Sequence, residues 1–290
     1  MKEVVVLSGK GGTGKTSIVG SFAALAKGAV LADCDVDAAD LHLLLQPVVQ
    51  QTHEFWSGQT AFIAEDRCTQ CGLCQELCRF KAIKDFRVDP ISCEGCGFCS
   101  RICLAEAITM KENLAGHWFI SDTRYGPLVH AQLGVAQENS GKLVATVRQQ
   151  ARQMAEKEVA DCIISDGPPG IGCPVISSLS GANLALLVTE PTLSGIHDLE
   201  RVLGVCCHFG VLALVCINKC NINEDNTREI ERHCLSQGVE IAGMIPFDNV
   251  VTQAIVRGVP VVEYCSGRVT REIERMWHTL SAMLRNGSQG

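Results

Sequence analysis

The residues with the plainest chemistry lie near the start of the chain and fit the phosphate-binding pattern G-x-x-x-x-G-K-[ST]. They are Gly9, Lys10, Gly11, Gly12, Thr13, Gly14, Lys15 and Thr16. Glycines allow successive backbone N–H groups to point at a polyphosphate, and a helix that follows adds the positive end of its dipole. Lys15 would reach the β- and γ-phosphates, and the Thr16 hydroxyl would ligate Mg²⁺. The pattern therefore predicts a site for a Mg²⁺–nucleotide.

Acidic residues follow the next apolar run along the chain. Residues 29–32 predict a strand, and Asp33, Asp35 and Asp40 come after it. Carboxylates at the carboxyl edge of a strand, beside a phosphate loop, are placed to hold Mg²⁺ directly or through water and to orient an attacking water. We therefore predict Asp35 as a Mg²⁺-linked acid. The alternative is a solvated acidic loop.

A second acid of the same kind is Asp166. The apolar residues 162–165 predict a strand that ends at this aspartate, and Gly167, Pro168, Pro169 and Gly170 follow it. Phosphate-loop ATPases require an acid at the end of an apolar strand to hold Mg²⁺. Asp166 is the predicted counterpart, and the loop behind it is placed to sense the γ-phosphate.

The elements that must position these residues alternate between strand and helix. Residues 4–7, 184–188 and 212–217 predict further apolar strands, and a helix is predicted from about 143 to 160, after residues 139–140. Apolar strands without alternation, separated by helical segments, indicate a mostly parallel sheet covered by helices on both faces. The predicted fold class is therefore α/β.

Cysteines form an internal repeat in which the spacing C-x2-C-x2-C-x3-C occurs twice, 25 residues apart. The first run is Cys68, Cys71, Cys74 and Cys78, and the second is Cys93, Cys96, Cys99 and Cys103. This is the spacing of bacterial two-cluster ferredoxins, in which the fourth cysteine of each run ligates the other cluster. It predicts one [4Fe–4S] cluster on Cys68, Cys71, Cys74 and Cys103, and a second on Cys93, Cys96, Cys99 and Cys78.

The repeat departs from the ferredoxin pattern at one place in each run. Arg79 and Leu104 stand where a proline usually follows the fourth cysteine. This change removes no ligand. Structural zinc, held by four thiolates, is the alternative chemistry for these cysteines.

Length and composition limit the class of protein. A chain of 290 residues with 47% hydrophobic residues predicts one large domain with an insertion, or two domains. Seventeen cysteines without a signal peptide indicate metal or redox chemistry in the cytoplasm, and the longest apolar runs are too short to span a membrane. A net charge of −7 provides no general attraction to nucleic acid.

Together these motifs resemble the MinD/ParA/Mrp group of deviant-Walker ATPases, and more narrowly the MinD-like ATPases that contain an inserted ferredoxin domain. The marks of the resemblance are Lys10 in the phosphate loop, the pattern Asp33-x-Asp35-x4-Asp40-Leu41, residues 166–170, Asn218, and the loop Ile245, Pro246, Phe247 and Asp248. The resemblance implies that Lys10 contacts phosphates of the nucleotide held by a partner subunit. It also implies that Asp40 helps to position the hydrolytic water, and that Asn218, Pro246, Phe247 and Asp248 surround the adenine.

The same resemblance implies a domain plan and a function. We expect a discontinuous P-loop ATPase domain at 1–50 and 114–290, and an inserted α+β ferredoxin domain with two [4Fe–4S] clusters at 51–113. The implied function is an ATPase in which nucleotide state and dimerisation gate electron transfer to a partner. The alternatives are an iron–sulfur cluster carrier, and a positioning or regulatory ATPase with redox-sensing clusters.

The implied partners are a second copy of the chain or a paralogous ATPase, and a redox protein or an iron–sulfur client. Neither nucleic acid nor a membrane is expected. Cys173 resembles one ligand of a cluster shared between subunits, but no second cysteine is visible upstream. The last apolar segment, from Val269 to Leu284, has helical spacing. We expect it to pack on the sheet, and a membrane-surface helix is the alternative.

Overall fold

The computed structural model describes residues 2–134 and 140–286. Contacts divide the chain into two units. The first comprises Met1–His53, Trp118–Gln132 and Ser140–Gly290, and the second comprises Glu54–His117 and Leu133–Asn139. Each unit has its own hydrophobic core.

Strands and helices alternate along most of the first unit, as expected. The strands of the whole chain are β1 (Glu3–Ser8), β2 (Ala29–Asp33), β3 (Val48–Ile63), β4 (Ile83–Lys84), β5 (Arg87–Val88), β6 (Ile108–Thr123), β7 (Gly126–Leu133), β8 (Cys162–Pro169), β9 (Leu184–Thr189), β10 (Leu212–Asn218) and β11 (Glu240–Ile245). The helices are α1 (Lys15–Leu25), α2 (Leu41–Leu45), α3 (Leu73–Glu76), α4 (Phe98–Ile102), α5 (Ser140–Lys157), α6 (Cys173–Leu179), α7 (Leu193–His208), α8 (Glu224–Ser236), α9 (Asn249–Val256), α10 (Val261–Tyr264) and α11 (Arg268–Asn286).

The large sheet has the strand order β11-β10-β9-β1-β8-β2-β7-β6-β3. Every pairing from β11 to β7 is parallel. Because the carboxyl ends of parallel strands meet at one edge, the residues that follow β1, β2, β8, β9 and β10 are brought together. The residues of β3 and β6 belong partly to each unit.

Helices cover both faces of this sheet. Val4 and Val6 of β1 belong to one buried cluster, with Phe22 of α1 and Met276 of α11. The alternate β1 residues Val5 and Leu7 belong to a second cluster, which includes residues of α6, α7 and α8. Strand side chains point to opposite faces in turn, so a strand buried on both faces is apolar throughout. The predicted α/β sheet with two covered faces is confirmed.

Three boundaries differ from the predictions. Strand β8 continues through Asp166 to Pro169, beyond the predicted end at residue 165. The helix predicted from about 143 begins at Ser140, and Asn139 lies outside the described residues. Residues 118–120 are apolar and by themselves predict a short strand, but they lie inside the sixteen-residue strand β6. Apolar patterning identified these elements, but hydrogen-bonded neighbours extend a strand into polar residues.

The final helix packs on the sheet, in agreement with the first of the two interpretations. Ile273, Met276 and Leu280 of α11 are at most 2% exposed and belong to the core of the first unit. The apolar face of α11 is therefore covered by its own chain. Among the described residues, no helix combines the length and the apolar character that crossing a bilayer requires.

A buried ion pair joins β1 to the helices on one face. Arg148 of α5 donates from Nε and Nη2 to the two carboxylate oxygens of Glu3, at 2.8 and 2.6 Å. The Ser165 hydroxyl donates to the same carboxylate at 2.8 Å. Nη1 of the arginine donates to the carbonyls of Ser177 and Ser180 at the end of α6. Both charged groups are almost fully buried. Arg152, which is partly exposed, also donates to Oε2 of Glu3 at 3.0 Å, so the carboxylate has two cationic partners.

Arg148→Ala is expected to lower the free energy of unfolding by about 3 kcal/mol, the lower end of the range for a broken buried ion pair, because the Glu3 carboxylate loses its buried bidentate partner and keeps only Arg152. Urea unfolding followed by circular dichroism measures the change. Arg228→Ala is the control, since Arg228 pairs with Glu224 on an exposed face of α8 and such pairs are worth about 1 kcal/mol or less. Equal effects of the two substitutions would contradict the structural role of Arg148.

Candidate functional site

The phosphate loop connects β1 to α1 and passes close to two other elements. Gly14 has φ +92, and a Cβ at this position would lie 2.4 Å from Nδ2 of Asn218. A Cβ on Gly9 would lie 2.3 Å from Cβ of Asp198 in α7. Glycine is therefore required at both positions, at Gly14 for conformation as well as for space.

Side chains from outside the loop hold three of its carbonyl groups. The donors are Ser8 Oγ to the Lys10 carbonyl at 2.6 Å, Lys219 Nζ to the Gly12 carbonyl at 3.4 Å, and Asn218 Nδ2 to the Thr13 carbonyl at 2.7 Å. Ser8 ends β1, and Asn218 ends β10. Carbonyls held by these donors leave the opposite side of the peptide groups for an anion. Asn218 and Lys219 lie about two hundred residues further along the chain than the carbonyl groups that they hold.

The predicted Mg²⁺ and phosphate residues lie together at the carboxyl edge of the sheet. Lys15 is 5% exposed. Burial raises the pKa of Asp166 to about 7; Lys15 and Thr16 oppose this shift, and the charges of Asp35 and Asp40 add to it. Burial also raises the pKa of Asp35 to about 6, again opposed by Lys15. Each group therefore lies within electrostatic reach of the others.

Asp33 holds the acidic segment in place, a role that no sequence motif predicted for it. Its carboxylate accepts the backbone N–H of Asp35 at 3.2 Å and that of Leu41 at 3.3 Å, so it holds both ends of the acidic segment. Asp33 pairs in register with Asp166. Burial, and then the charge of Asp166, raise the pKa of Asp33 well above its ordinary value. The available signal in the sequence was its place directly after the apolar residues 29–32, and in the structure it is the last residue of β2.

Two buried oxygens at this site have no hydrogen-bond partner within the described residues. They are Oδ1 of Asp166 and Oγ1 of Thr13. An unpaired buried oxygen is costly, so such groups call for a ligand, an ion or a water. Carboxylate and hydroxyl oxygens are the ligands that Mg²⁺ prefers. With the nearby Lys15 ammonium, the donor set fits a nucleotide phosphate with its Mg²⁺.

The residues expected around the adenine have structural partners of their own. The Asn218 side-chain amide donates an N–H to the Thr13 carbonyl of the phosphate loop and accepts the backbone N–H of Lys219 at Oδ1. Asp248 caps α9, because its side chain accepts the N–H of Val250 at 3.0 Å. The Phe247 side chain is 49% exposed. Pro246 lies between β11 and this cap. Adenine contact remains a prediction for all four residues.

Lys10 contacts a segment that no sequence motif marks as part of the site. Its Nζ lies 3.2 Å from Oε2 of Glu190, 3.2 Å from Oγ1 of Thr192 and 3.4 Å from Oγ of Ser194. Glu190 also pairs with Lys219, whose φ of +57 is unusual for a residue other than glycine. Glu190 directly follows β9, so its place at the end of an apolar strand was the available signal.

The eight repeat cysteines lie in the second unit, beside its small antiparallel sheet of β4 and β5. All have free thiols. A cavity of about 260 Å³ is lined by Cys74, Cys78, Cys93, Cys96 and Cys99. A smaller one, of about 20 Å³, is lined by Cys68, Cys71, Cys74 and Cys103. Each run thus places its fourth cysteine with the first three of the other run.

The fourth cysteine of each run accepts the same kind of backbone hydrogen bond. The Ala82 N–H points at Sγ of Cys78 at 3.4 Å, and the Ala107 N–H points at Sγ of Cys103 at the same distance. Within residues 2–134 and 140–286, no group of three or more His, Cys, Asp or Glu side chains converges on a point that could hold one metal ion.

Cys173 is exposed at the start of α6.

A parallel sheet covered on both faces, with a braced phosphate loop and buried acids at its carboxyl edge, defines a P-loop nucleotide-binding protein. Residues 4–261 match the family model for the CobQ/CobB/MinD/ParA nucleotide binding domain. The chain belongs to this family.

Individual relatives and structures agree with that assignment. The chain is 33% identical to the protein MJ0578 of Methanocaldococcus jannaschii, over 97% of each chain. It is 26% identical to the putative septum site-determining protein MinD of Oltmannsiellopsis viridis, over 90% of this chain and 69% of that protein. The structure of MinD from Pyrococcus horikoshii, complexed with Mg-ADP, aligns with a TM-score of 0.61 at 16% identity, over 100% of this chain and 99% of that one. At this identity the structural match shows the fold alone.

Proposed function

We propose that this chain is an ATP-hydrolysing iron–sulfur protein in which nucleotide state and dimerisation gate electron transfer through two [4Fe–4S] clusters. The nucleotide part of the proposal rests on the family and on the unpaired oxygens beside Lys15. The observation that carries the redox part is the grouping of eight cysteines around two cavities, with one cysteine exchanged between the runs.

The chemistry of the cysteine sets supports cluster binding. A [4Fe–4S] cluster takes one thiolate at each iron, so the four sulfurs need not converge on a single point. Ala61, Ile63, Ile83 and Ile108 form an apolar core against which six of the eight cysteines pack. Backbone N–H groups aimed at two of the sulfurs are the kind of hydrogen bond that tunes a cluster's potential. Bound there, the clusters supply one-electron transfer.

The order of elements along the chain supports a link to the nucleotide. The acidic segment that ends at Asp40 leads through α2 into β3, and residues 54–63 of β3 belong to the second unit. A nucleotide-dependent movement of Asp35 and Asp40 would therefore act on the chain segment that leads through α2 and β3 to the cysteines. We propose the ferredoxin domain as an insertion in the ATPase domain, and a second copy or a paralogue as the dimer partner.

A second candidate function is a MinD-like positioning or regulatory ATPase whose clusters act as redox sensors. The observation that favours it is the set of relatives named septum site-determining protein MinD. One aligned structure, with a TM-score of 0.57 at 19% identity, is of a MinC:MinD cell division protein complex from Aquifex aeolicus. In this candidate the partner is a protein effector, and no electron acceptor is needed.

The deciding experiment is anaerobic purification followed by iron and sulfide analysis, and by EPR with ATP, ADP or no nucleotide. We expect about eight irons and eight sulfides per chain, because two complete ligand sets are present. The reduced-cluster signal, or its rate of appearance with a chemical reductant, should differ between the ATP and ADP samples. Bound zinc, or a protein without iron, would overturn the redox proposal, and identical EPR behaviour with both nucleotides would favour the second candidate.

Cys103→Ser tests whether this cysteine is a cluster ligand. It should lower the iron content by about half and spare the cluster on Cys78, Cys93, Cys96 and Cys99. Cys207→Ser, at an exposed cysteine of the first unit, is the matched control and should leave the iron content unchanged.

A further inference from the structure

The ammonium group of Lys10 is fully engaged by its own chain. A lysine ammonium has three N–H donors, and three acceptors surround Nζ at 3.2 to 3.4 Å: Glu190, Thr192 and Ser194. Glu190 and Thr192 belong to the segment that joins β9 to α7, and Ser194 lies in the first turn of α7. A phosphate can therefore receive a hydrogen bond from Lys10 only if one of these contacts is given up.

Glu190 is the charged member of this group and the strongest competitor for a phosphate. Its side chain is 12% exposed, and it pairs with Lys219 as well as with Lys10. Burial acts to raise the pKa of Glu190, but the hydrogen bonds and charges of the two lysines outweigh that effect and lower it. The residue is thus a resident anion at the mouth of the phosphate loop, ionised at neutral pH.

Lys219 links the same carboxylate to the loop backbone. Its Nζ contacts both Glu190 and the Gly12 carbonyl. With Lys219 as a second partner, Glu190 keeps its position when Lys10 moves away. The two cations therefore have different roles: Lys219 anchors the carboxylate, and Lys10 is the one that exchanges.

We infer that Glu190 is a gating residue that holds Lys10 within its own subunit until a nucleotide triphosphate competes for the ammonium. The inference rests on the proposed nucleotide function and concerns the regulation of the same site. When only a fraction of the protein is in the form that binds a ligand, the apparent dissociation constant equals the intrinsic one divided by that fraction. Glu190 would thus weaken triphosphate binding and restrain any contact that Lys10 makes outside its own subunit.

The test uses Glu190→Gln, which keeps the shape and an acceptor oxygen but removes the charge. Titration calorimetry of the full chain with Mg²⁺ and a non-hydrolysable ATP analogue should show about tenfold tighter binding than in the unaltered chain. In a Lys10→Ala background the same substitution should change the affinity by less than about twofold, because no ammonium is left to release. Glu200→Gln, at an exposed position of α7, controls for the change in net charge.

The outcomes separate this inference from the proposed function. If the unaltered chain does not bind the analogue, the nucleotide function fails and the inference fails with it. If the unaltered chain binds but Glu190→Gln binds equally or more weakly, only the gating role is overturned. An equal gain in the presence and absence of Lys10 would overturn it as well, because the effect would not pass through that lysine. Thermal unfolding of each variant shows that the comparison is between folded proteins.

Discussion

Replacement of Lys10 by alanine is expected to leave Mg²⁺–nucleotide binding nearly intact and to reduce ATP turnover by about 10³-fold or more. Lys15, the braced carbonyls and the buried acids remain in place in this variant, so the nucleotide keeps its cradle. A cation delivered to the transferring phosphoryl group neutralises charge that develops only in the transition state. The loss should therefore fall on kcat, with little change in KM.

Steady-state phosphate release and calorimetry with an ATP analogue measure the two quantities. Sedimentation with and without the analogue measures ATP-dependent association, which should also be lost if Lys10 reaches the nucleotide of a partner. Lys142→Ala is the control, because Lys142 is an exposed lysine in the first turn of α5. Unaltered turnover in Lys10→Ala would contradict the catalytic role of this lysine.

The sequence located the phosphate loop and the acids because both follow local rules. A glycine-rich loop between a strand and a helix, and an acidic residue at the end of an apolar strand, can each be recognised from a short stretch of sequence. The strand and helix types were also predictable, since apolar runs buried on both faces leave a clear pattern. Two covered faces then followed from the alternation of strands with helices.

Contacts between distant segments could not be predicted in this way. The bracing of Gly12 and Thr13 by Lys219 and Asn218 depends on the sheet order, which places β10 near β1 with β9 between them. The pairing of Lys10 with Glu190 has the same origin. No local pattern specifies strand order. The usable signal is general: the first polar residue after each parallel strand faces the shared edge.

The length of β3 and β6 was missed for a different reason. Both have sixteen residues, and many residues of β3 are polar and exposed. Exposed strand residues are held by backbone hydrogen bonds to their neighbours and carry no alternating apolar pattern. The domain limits proposed from the sequence therefore fall inside strands, since β3 begins before residue 51 and β6 continues beyond 113.

Asp166→Asn is expected to have opposite effects on stability and on function. The pKa of Asp166, near 7 in the folded protein because of burial, lies above the value of about 3.9 for an exposed aspartate. A raised folded-state pKa means that the folded protein binds the proton more tightly than the unfolded chain does. The free energy of unfolding of the nucleotide-free protein should therefore fall as the pH rises from about 4 to 7, as the buried carboxylate becomes charged.

Asparagine removes that charge and its pH dependence. At pH 8 we expect Asp166→Asn to raise the free energy of unfolding by about 2 kcal/mol, and near pH 4 the difference should vanish. Urea unfolding of the nucleotide-free protein at several pH values measures this. Asp225→Asn, at an exposed residue of α8, is the control and should show no such gain. A destabilised Asp166→Asn protein at pH 8 would contradict the assignment.

The same variant should lose the response to ligand. Nucleotide with Mg²⁺ stabilises a binding protein by RT ln(1 + [L]/Kd), so the unaltered chain should unfold at higher urea when both are present. Asp166→Asn lacks the unpaired carboxylate oxygen that fits the metal, and Mg²⁺ should add nothing to the effect of nucleotide alone. A carboxylate whose removal strengthens the fold is present for something other than stability. If Asp166→Asn loses the response to Mg²⁺, the carboxylate is present to bind the metal. Replacement of a purely structural aspartate would destabilise the protein and leave the metal response unchanged.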